Sequence, residues 1–407
     1  MTSDELVESD PSAQPVVDKY QIVRKLASGG MGDVFLARQS GPVAFNRLVV
    51  LKSLHPDLIA DPDFVSMFLN EAQLIASLTH PNIVHIYELL QDASGYVIAM
   101  EYVKGGSVLE LLRENRNRGH HGLPFGPALR IASSVCEALH HAYHERGPDD
   151  VPMRVIHRDV SPSNILVGFD GQIKLVDFGI AKALAAEPLT KTSTIKGKSG
   201  YLAPEQIRTL DLDQRCDVFA LGVVLWEMTV GERLFRRDND LQTMNAILHE
   251  PYPRPSERVP DYPRALEEIV MMAMARDRED RYADAHALAT DLRAVARDRD
   301  WDLEAPALAH LVNDLLDEDR ITIEPEHTGE TRSPRLTSGR TSRSLPSRSL
   351  ARGSGPGATL RAPTAAVGTA GVSAGAIEPP AAGLPWVTIA VMSVLSVIFW
   401  LLIVPRI

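Results

Sequence analysis

Apolar positions change their spacing along the chain, and the change divides it. From Tyr20 to about residue 102 they alternate or form short β-branched runs such as Val49-Val50-Leu51, which predicts strands. One stretch there has helical spacing. Asp61-Pro62 offers an N-cap and a proline at N1, and Phe64, Met67, Phe68, Leu74, Ile75 and Leu78 mark one apolar face before Thr79-His80-Pro81 ends it. Residues 107–295 carry mostly helical patterns, including the apolar run VFALGVVLWEM. The expected fold class is α+β, in two lobes at 19–103 and 104–295 with a hinge near Glu101–Gly106. Leu308, Leu311, Val312 and Leu315 predict an additional helix within 300–318 that packs back on the domain.

The tails have a different texture. Residues 1–18 are polar and are expected to be disordered. Residues 328–383 are rich in Ser, Thr, Gly, Pro, Ala and Arg, with too few large apolar side chains to form a core, and read as a basic linker. The uncharged run Trp386–Val404 lies between Pro385 and Pro405. As a helix it would be roughly 28 Å long, close to the hydrocarbon thickness of a bilayer, so a transmembrane helix at 386–404 is expected in preference to a buried core helix. No internal repeat is visible.

Composition narrows the function classes. The 407 residues suffice for two domains, or for one large bilobed domain plus tails, and 44% hydrophobic residues allow a sizeable core. A formal net charge of −11 argues against a nucleic-acid partner. Cys136 and Cys216 sit in apolar runs without C-x-x-C spacing, as expected for reduced, buried thiols. The opening MTSDELVESD is acidic and lacks the apolar centre of a signal peptide.

The candidate chemistry is that of a phosphate site. Gly29, Gly30 and Gly32 in LASGGMGDVFLAR allow backbone amides to approach phosphate oxygens, and they lead into a β-prone run, not a helix. Gly197-Lys198-Ser199 imitates the end of a nucleotide P-loop, but Thr192 stands where that motif needs its first glycine. Lys52 ends the run Val49–Lys52, where an ammonium can meet the α- and β-phosphates, and Glu71 lies on the predicted helix as its anionic partner. In HRDVSPSN (157–164), Asp159 is a candidate base for a substrate hydroxyl and Asn164 a candidate amide-oxygen ligand of Mg²⁺. Asp177, opening Asp177-Phe178-Gly179, offers a hard carboxylate for the same ion.

With these motifs in this order, followed by Ala203-Pro204-Glu205, the chain resembles the eukaryotic-like serine/threonine protein kinases of bacteria over about Tyr20 to Leu292. The resemblance implies a bilobed protein-kinase fold and an enzyme that uses ATP and Mg²⁺ to phosphorylate Ser or Thr hydroxyls of protein substrates, itself included. It places the nucleotide among Leu26, Ala27, Ser28, Gly29, Gly30, Met31, Gly32 and Val34 of the glycine loop. Val50 and Leu166 would line the same site, with Met100 as gatekeeper and Glu101 to Val103 as the hinge. It also implies that Glu205 pairs with Arg281, that Asp217 braces the HRD backbone, and that His157 and Phe178 have structural roles.

Three positions depart from the family pattern. The first loop glycine is Ala27, the lysine expected two residues after the catalytic aspartate is Ser161, and the threonine expected after Gly197 is Lys198. Loss of the family lysine removes a positive charge near the γ-phosphate. Lys198 either supplies the missing ammonium from the other side or is solvated and leaves activity low. Ser161 also keeps open a pseudokinase scaffold and a preference for tyrosine. Thr190, Thr192, Ser193 and Thr194 are candidate phosphosites whose phosphate would pair with Arg158. The expected setting is a cell membrane, with a single C-terminal span, the catalytic domain in the cytoplasm, and a homodimer for trans-autophosphorylation.

Overall fold

The computed structural model describes residues 16–17, 19–29, 32–40, 46–92, 95–147, 149–178 and 198–317. All belong to the first of two compact units, Met1–Glu330. The linker expected at 328–383 and the apolar run 386–404 lie outside the described residues, as does nearly all of the expected tail 1–18. Among the described residues no helix is long and apolar enough to cross a membrane.

The first lobe is an antiparallel sheet of β1 (Val16–Val17), β2 (Tyr20–Ser28), β3 (Gly32–Ser40), β4 (Asn46–Leu54), β5 (Ile86–Asp92) and β6 (Gly95–Glu101), in the order β1-β2-β3-β4-β6-β5. Alternation along β4 sorts its side chains. Val49 and Leu51 join Tyr20, Ala37, Val97 and Ala99 in a small apolar cluster on one face. Val50 and Lys52 therefore face the other way. Directly opposed residues share a face, so the pairings Val34↔Lys52 and Val50↔Met100 put these four side chains on one side of the sheet.

On that side lie a short helix α1 (Pro56–Ile59) and the long α2 (Pro62–Ser77). The Asp61 carboxylate accepts from the Asp63 N–H at the start of α2, and Met67, Phe68, Ala72 and Ile75 are its buried face. The helix ends at Ser77, one residue short of the last position of the expected apolar face. Leu78 is its C-cap, buried in the core but already extended, so Thr79-His80-Pro81 lies beyond the helix.

The second lobe carries a small sheet, β7 (Gly105–Ser107), β8 (Ile165–Gly168) and β9 (Ile173–Leu175), on a helical body. Its helices are α3 (Val108–Asn117), α4 (Phe125–His144), α5 (Pro204–Ile207), α6 (Arg215–Val230), α7 (Asp240–His249), α8 (Arg264–Ala273), α9 (Ala285–Asp298) and α10 (Ala305–Leu315). Helix α6 is buried on every side: each residue from Cys216 to Val230 is buried, the polar Asp217, Glu227 and Thr229 among them. Gly222 lets α8 come close, since a Cβ there would stand 2.8 Å from Met274 Cγ and 3.0 Å from Ala273 Cβ. Both cysteines are free and buried, and burial pushes both thiols up.

The helix expected within 300–318 spans Ala305–Leu315, with a proline accommodated in its first turn. Trp301 stacks on Phe125 at 4.8 Å, and Leu308, Val312 and Leu315 are buried. The Asn313 side chain donates to the Phe169 carbonyl at 2.8 Å, which fixes α10 beside the turn after β8.

Candidate active site

Two clusters of charge meet where the lobes face each other. The first centres on Lys52. From β4 its ammonium reaches Glu71 Oε1 on α2 at 3.2 Å and Asp177 Oδ1 at 3.0 Å. Burial opposes the ammonium, but the Asp177 and Glu71 carboxylates outweigh it and hold its pKa above the ordinary lysine value. Lys52 in turn lowers Asp177. Burial raises Glu71 despite the attraction of Lys52. Asp177 takes a positive φ of 57°, a sparsely populated conformation for a non-glycine residue. Its side chain stays half exposed toward the cleft.

The second cluster centres on Asp159. Asn164 Nδ2 donates to the Asp159 carbonyl and to Asp159 Oδ2, both at 2.9 Å. Lys198 Nζ donates to the same Oδ2 at 2.7 Å and to Asn164 Oδ1 at 3.1 Å. This network fixes the amide: turned over, it would set oxygen against oxygen and nitrogen against ammonium. Ser161 points elsewhere, buried, with its hydroxyl 3.1 Å from that of Ser163.

The backbone beneath is held from α6. Asp217 Oδ2 accepts from the His157 N–H at 2.7 Å and Oδ1 from the Arg158 N–H at 2.8 Å. Burial raises the Asp217 carboxyl to about 7, against those two donors. His157 is fully buried, and burial lowers it to about 4, so it is a neutral packing group. Its Nε2 lies 3.1 Å from the Val176 carbonyl and its ring 4.5 Å from that of buried Phe178. With its Nδ1 accepting from the Asp159 N–H at 3.2 Å, one histidine ties the segments bearing Asp159 and Asp177 together.

The segment carrying Lys198 is anchored to the helical lobe at three points. Ser199 Oγ donates to Asp240 Oδ1 and the Tyr201 hydroxyl to Glu227 Oε2, both at 2.7 Å. Arg281 meets Glu205 in a buried two-pronged pair, Nη1–Oε1 2.6 Å and Nη2–Oε2 2.8 Å. Pairs of this geometry are the strong ones. At the hinge, Lys174 holds the Glu101 side chain at 2.8 Å. Sequence reasoning missed the partners Asp240, Glu227 and Lys174, because a lone charge on a helix or strand carries no local signal of the residue it will meet.

The proposed nucleotide wall is placed in part. Leu26, Ala27 and Ser28 lie on β2, Val34 on β3, Val50 on β4, Met100 and Glu101 on β6, and Leu166 on β8, with buried Val103 between the lobes. Gly29 closes the hairpin by donating its N–H to the Gly32 carbonyl at 2.9 Å. Gly32 needs a different explanation from the phosphate approach expected of it. A Cβ there would stand 1.7 Å from the Ser53 carbonyl oxygen, so its missing side chain is required by β4. At Gly29 the nearest atom to such a Cβ is 3.8 Å away, so a side chain would meet no close neighbour there. Gly30, Met31, Thr190, Thr192, Ser193 and Thr194 lie outside the described residues.

The oxygens fit a hard cation. Asn164 Oδ1 faces the cleft because the amide nitrogen is committed to Asp159, and Asp177 adds a half-exposed carboxylate. Among the described residues no three His, Cys, Asp or Glu side chains form a closed cage. The two oxygens of Asn164 and Asp177 suit Mg²⁺, which keeps few protein ligands and completes its shell with water and phosphate oxygens.

Residues 20–292 match the family model described as the protein kinase domain. The chain is 45% identical over 282 residues to the tyrosine-protein kinase MasK of Myxococcus xanthus, covering 69% of this chain and 43% of that protein. It is 35% identical over 281 residues to the serine/threonine-protein kinase PrkC of Bacillus subtilis, covering 68% and 40%. It thus spans about two fifths of the length of these two relatives. The crystal structure of the Mycobacterium tuberculosis PknI kinase domain superimposes with a TM-score of 0.53 at 29% identity, over 70% of this chain and 99% of that one.

Proposed function

The chain belongs to the protein kinase family, and from that premise we propose that it transfers the γ-phosphoryl group of ATP to Ser and Thr hydroxyls of proteins. The observation that carries this reading is the convergence of Lys52, Glu71 and Asp177 with Asp159 and Asn164 in one cleft. Lys52, fixed by two carboxylates, holds the α- and β-phosphates. Asn164 and Asp177 hold Mg²⁺, which supplies charge neutralisation at the phosphates. Asp159 orients the substrate hydroxyl. Its oxygen bonds to the γ-phosphorus, the bond from that phosphorus to the β–γ bridging oxygen breaks with its electron pair leaving on ADP, and the hydroxyl proton passes to the Asp159 carboxylate.

A tyrosine acceptor is the second reading. It is favoured by Ser161 in place of the expected lysine and by the 45% identity to a protein named as a tyrosine kinase. The uncharged run Trp386–Val404 supports a single membrane span with the catalytic domain on the cytoplasmic side, where ATP is. Thr190, Thr192, Ser193 and Thr194 are the proposed autophosphorylation sites, reached in trans within a homodimer, with Arg158 as the phosphate's partner.

Incubation of the full chain with γ-labelled ATP and Mg²⁺ tests the core of this. Label should enter the protein and disappear in Asp159→Asn, with phosphoserine or phosphothreonine on acid hydrolysis. Phosphotyrosine alone selects the second reading. No incorporation, with nucleotide still bound, leaves a scaffold and ends the enzymatic one.

A further inference from the structure

We propose that Lys198 supplies the ammonium that neutralises the transferring phosphoryl group, so that the catalytic centre is assembled from two chain segments and is complete only when the segment 198–205 is docked. The inference rests on the kinase reading above and goes beyond it in naming the residue and the coupling.

Three observations carry it. The residue two positions after Asp159 is a buried serine whose hydroxyl is turned to Ser163, so the catalytic loop presents no cation there. Lys198 fills the gap from outside, its Nζ 2.7 Å from Asp159 Oδ2 and 3.1 Å from Asn164 Oδ1. Its backbone is not free to wander. The residues directly after it are tied to α7 through Asp240, to α6 through Glu227, and to Arg281 through Glu205. A solvated lysine would have none of these constraints.

The two contacts differ in what they permit. Asn164 Oδ1 is also the oxygen that fits Mg²⁺, and an ammonium and a metal ion cannot share it closely. When Mg²⁺ and nucleotide bind, Lys198 gives up Asn164 and keeps Asp159 Oδ2. Its remaining N–H donors are then beside the group that Asp159 directs the hydroxyl toward. A cation fixed there stabilises charge that develops on the phosphoryl oxygens in the transition state. Before binding, the same ammonium occupies the metal's ligand, so Lys198 weakens metal binding slightly while raising turnover. A purely structural lysine would not link these two effects with opposite signs.

The test compares full-length wild type, Lys198→Met, and Lys198→Met with Ser161→Lys. Turnover is measured with labelled ATP. Binding of a Mg²⁺-loaded, non-hydrolysable ATP analogue is measured separately by calorimetry. Lys198→Met should lower kcat by about 10²–10³-fold, the usual scale for one lost electrostatic contact in a transition state. It should leave the analogue's Kd unchanged or lower it. Lys198→Met removes the ammonium from beside Asp159 Oδ2, so the added Ser161→Lys should return part of the lost kcat. A kcat within threefold of wild type overturns the proposal. So does a joint loss of kcat and analogue binding, because that is the mark of a collapsed site. An inactive wild type removes the kinase reading itself, whereas an active wild type with an equally active Lys198→Met removes only this inference.

Discussion

Replacing Glu205 by glutamine should cost the domain far more than its size suggests. Arg281 is buried in the helical lobe, and its five N–H groups all have acceptors. Nε donates to the Ala275 carbonyl at 2.6 Å. Nη1 serves Glu205 and the Arg215 carbonyl, and Nη2 serves Glu205 and the Arg276 carbonyl. Its guanidinium also lies 4.9 Å from the centre of the Phe219 ring. Glu205→Gln keeps the shape, removes the countercharge, and turns an amide N–H₂ toward one guanidinium nitrogen. The three carbonyls remain, but no anion does. Breaking a buried pair from one side typically costs about 3–5 kcal/mol, because the other charge is left uncompensated. In a domain of this size that corresponds to a fall in Tm of about 10 °C. Urea unfolding of the full chain, followed by the fluorescence of buried Trp226, measures it. Glu205→Gln, Arg281→Met and the double variant close a cycle in which the double variant should lose less than the sum of the two. A loss below about 1 kcal/mol for Glu205→Gln would show that the carbonyls alone satisfy Arg281 and refute the reasoning.

Gly32→Ala should cost roughly 2–3 kcal/mol, since the new methyl group runs into a backbone carbonyl that can move only if β3 and β4 separate. Gly29→Ala should leave the urea midpoint unchanged and raise KM for ATP instead, and equal loss of stability in both would contradict the assignment of Gly32 to strand packing. Between pH 4 and 6.5 the titrations of His157 and Asp217 oppose each other. The lowered His157 contributes stability that is present above pH 6.5 and lost toward 4, while the raised Asp217 contributes stability that is lost as pH rises from 3.8 toward 7. Asp217→Asn removes one partner, so stability in that variant should rise with pH between 4.5 and 6 by about 1.4 kcal/mol per unit more steeply than in wild type, as pH-dependent urea titrations would show.

The bilobed layout was legible because its signals are local. The alternation in Val49–Lys52 sets which side chains reach the cleft, and Asp61-Pro62 marks the start of α2. Asp159, Asn164 and Asp177 were legible for the same reason, each lying in a short ordered motif. Features that depend on a distant segment were not. Gly32 is glycine because of Ser53, twenty-one residues further on, and nothing around Gly32 announces that strand's approach. Helix α1 has a local mark, Pro56 at its start followed by Asp57, but only four residues, too few for a period to show. Lys198 was placed by motif position, yet the direction of its side chain followed only from the anchors that hold its backbone.

The two lysines of the cleft do the same mechanical job with different consequences. Lys52 joins β4 to α2 and to Asp177, so its correct placement requires that α2 be docked. Lys198 joins the segment 198–205 to the catalytic loop. A lysine at position 161 would travel with Asp159 and add no condition of its own. With Lys198 in that role, turnover is proportional to the product of two docked populations. Once the docked fraction of 198–205 falls well below half, each further 1.4 kcal/mol lost from its anchors lowers activity about tenfold. Ser199–Asp240, Tyr201–Glu227 and Glu205–Arg281 therefore set an activity threshold as well as a stability, and a phosphate, partner or substrate that binds the docked segment better than the released one shifts the docking equilibrium by the ratio of those two affinities and raises turnover by at most that ratio.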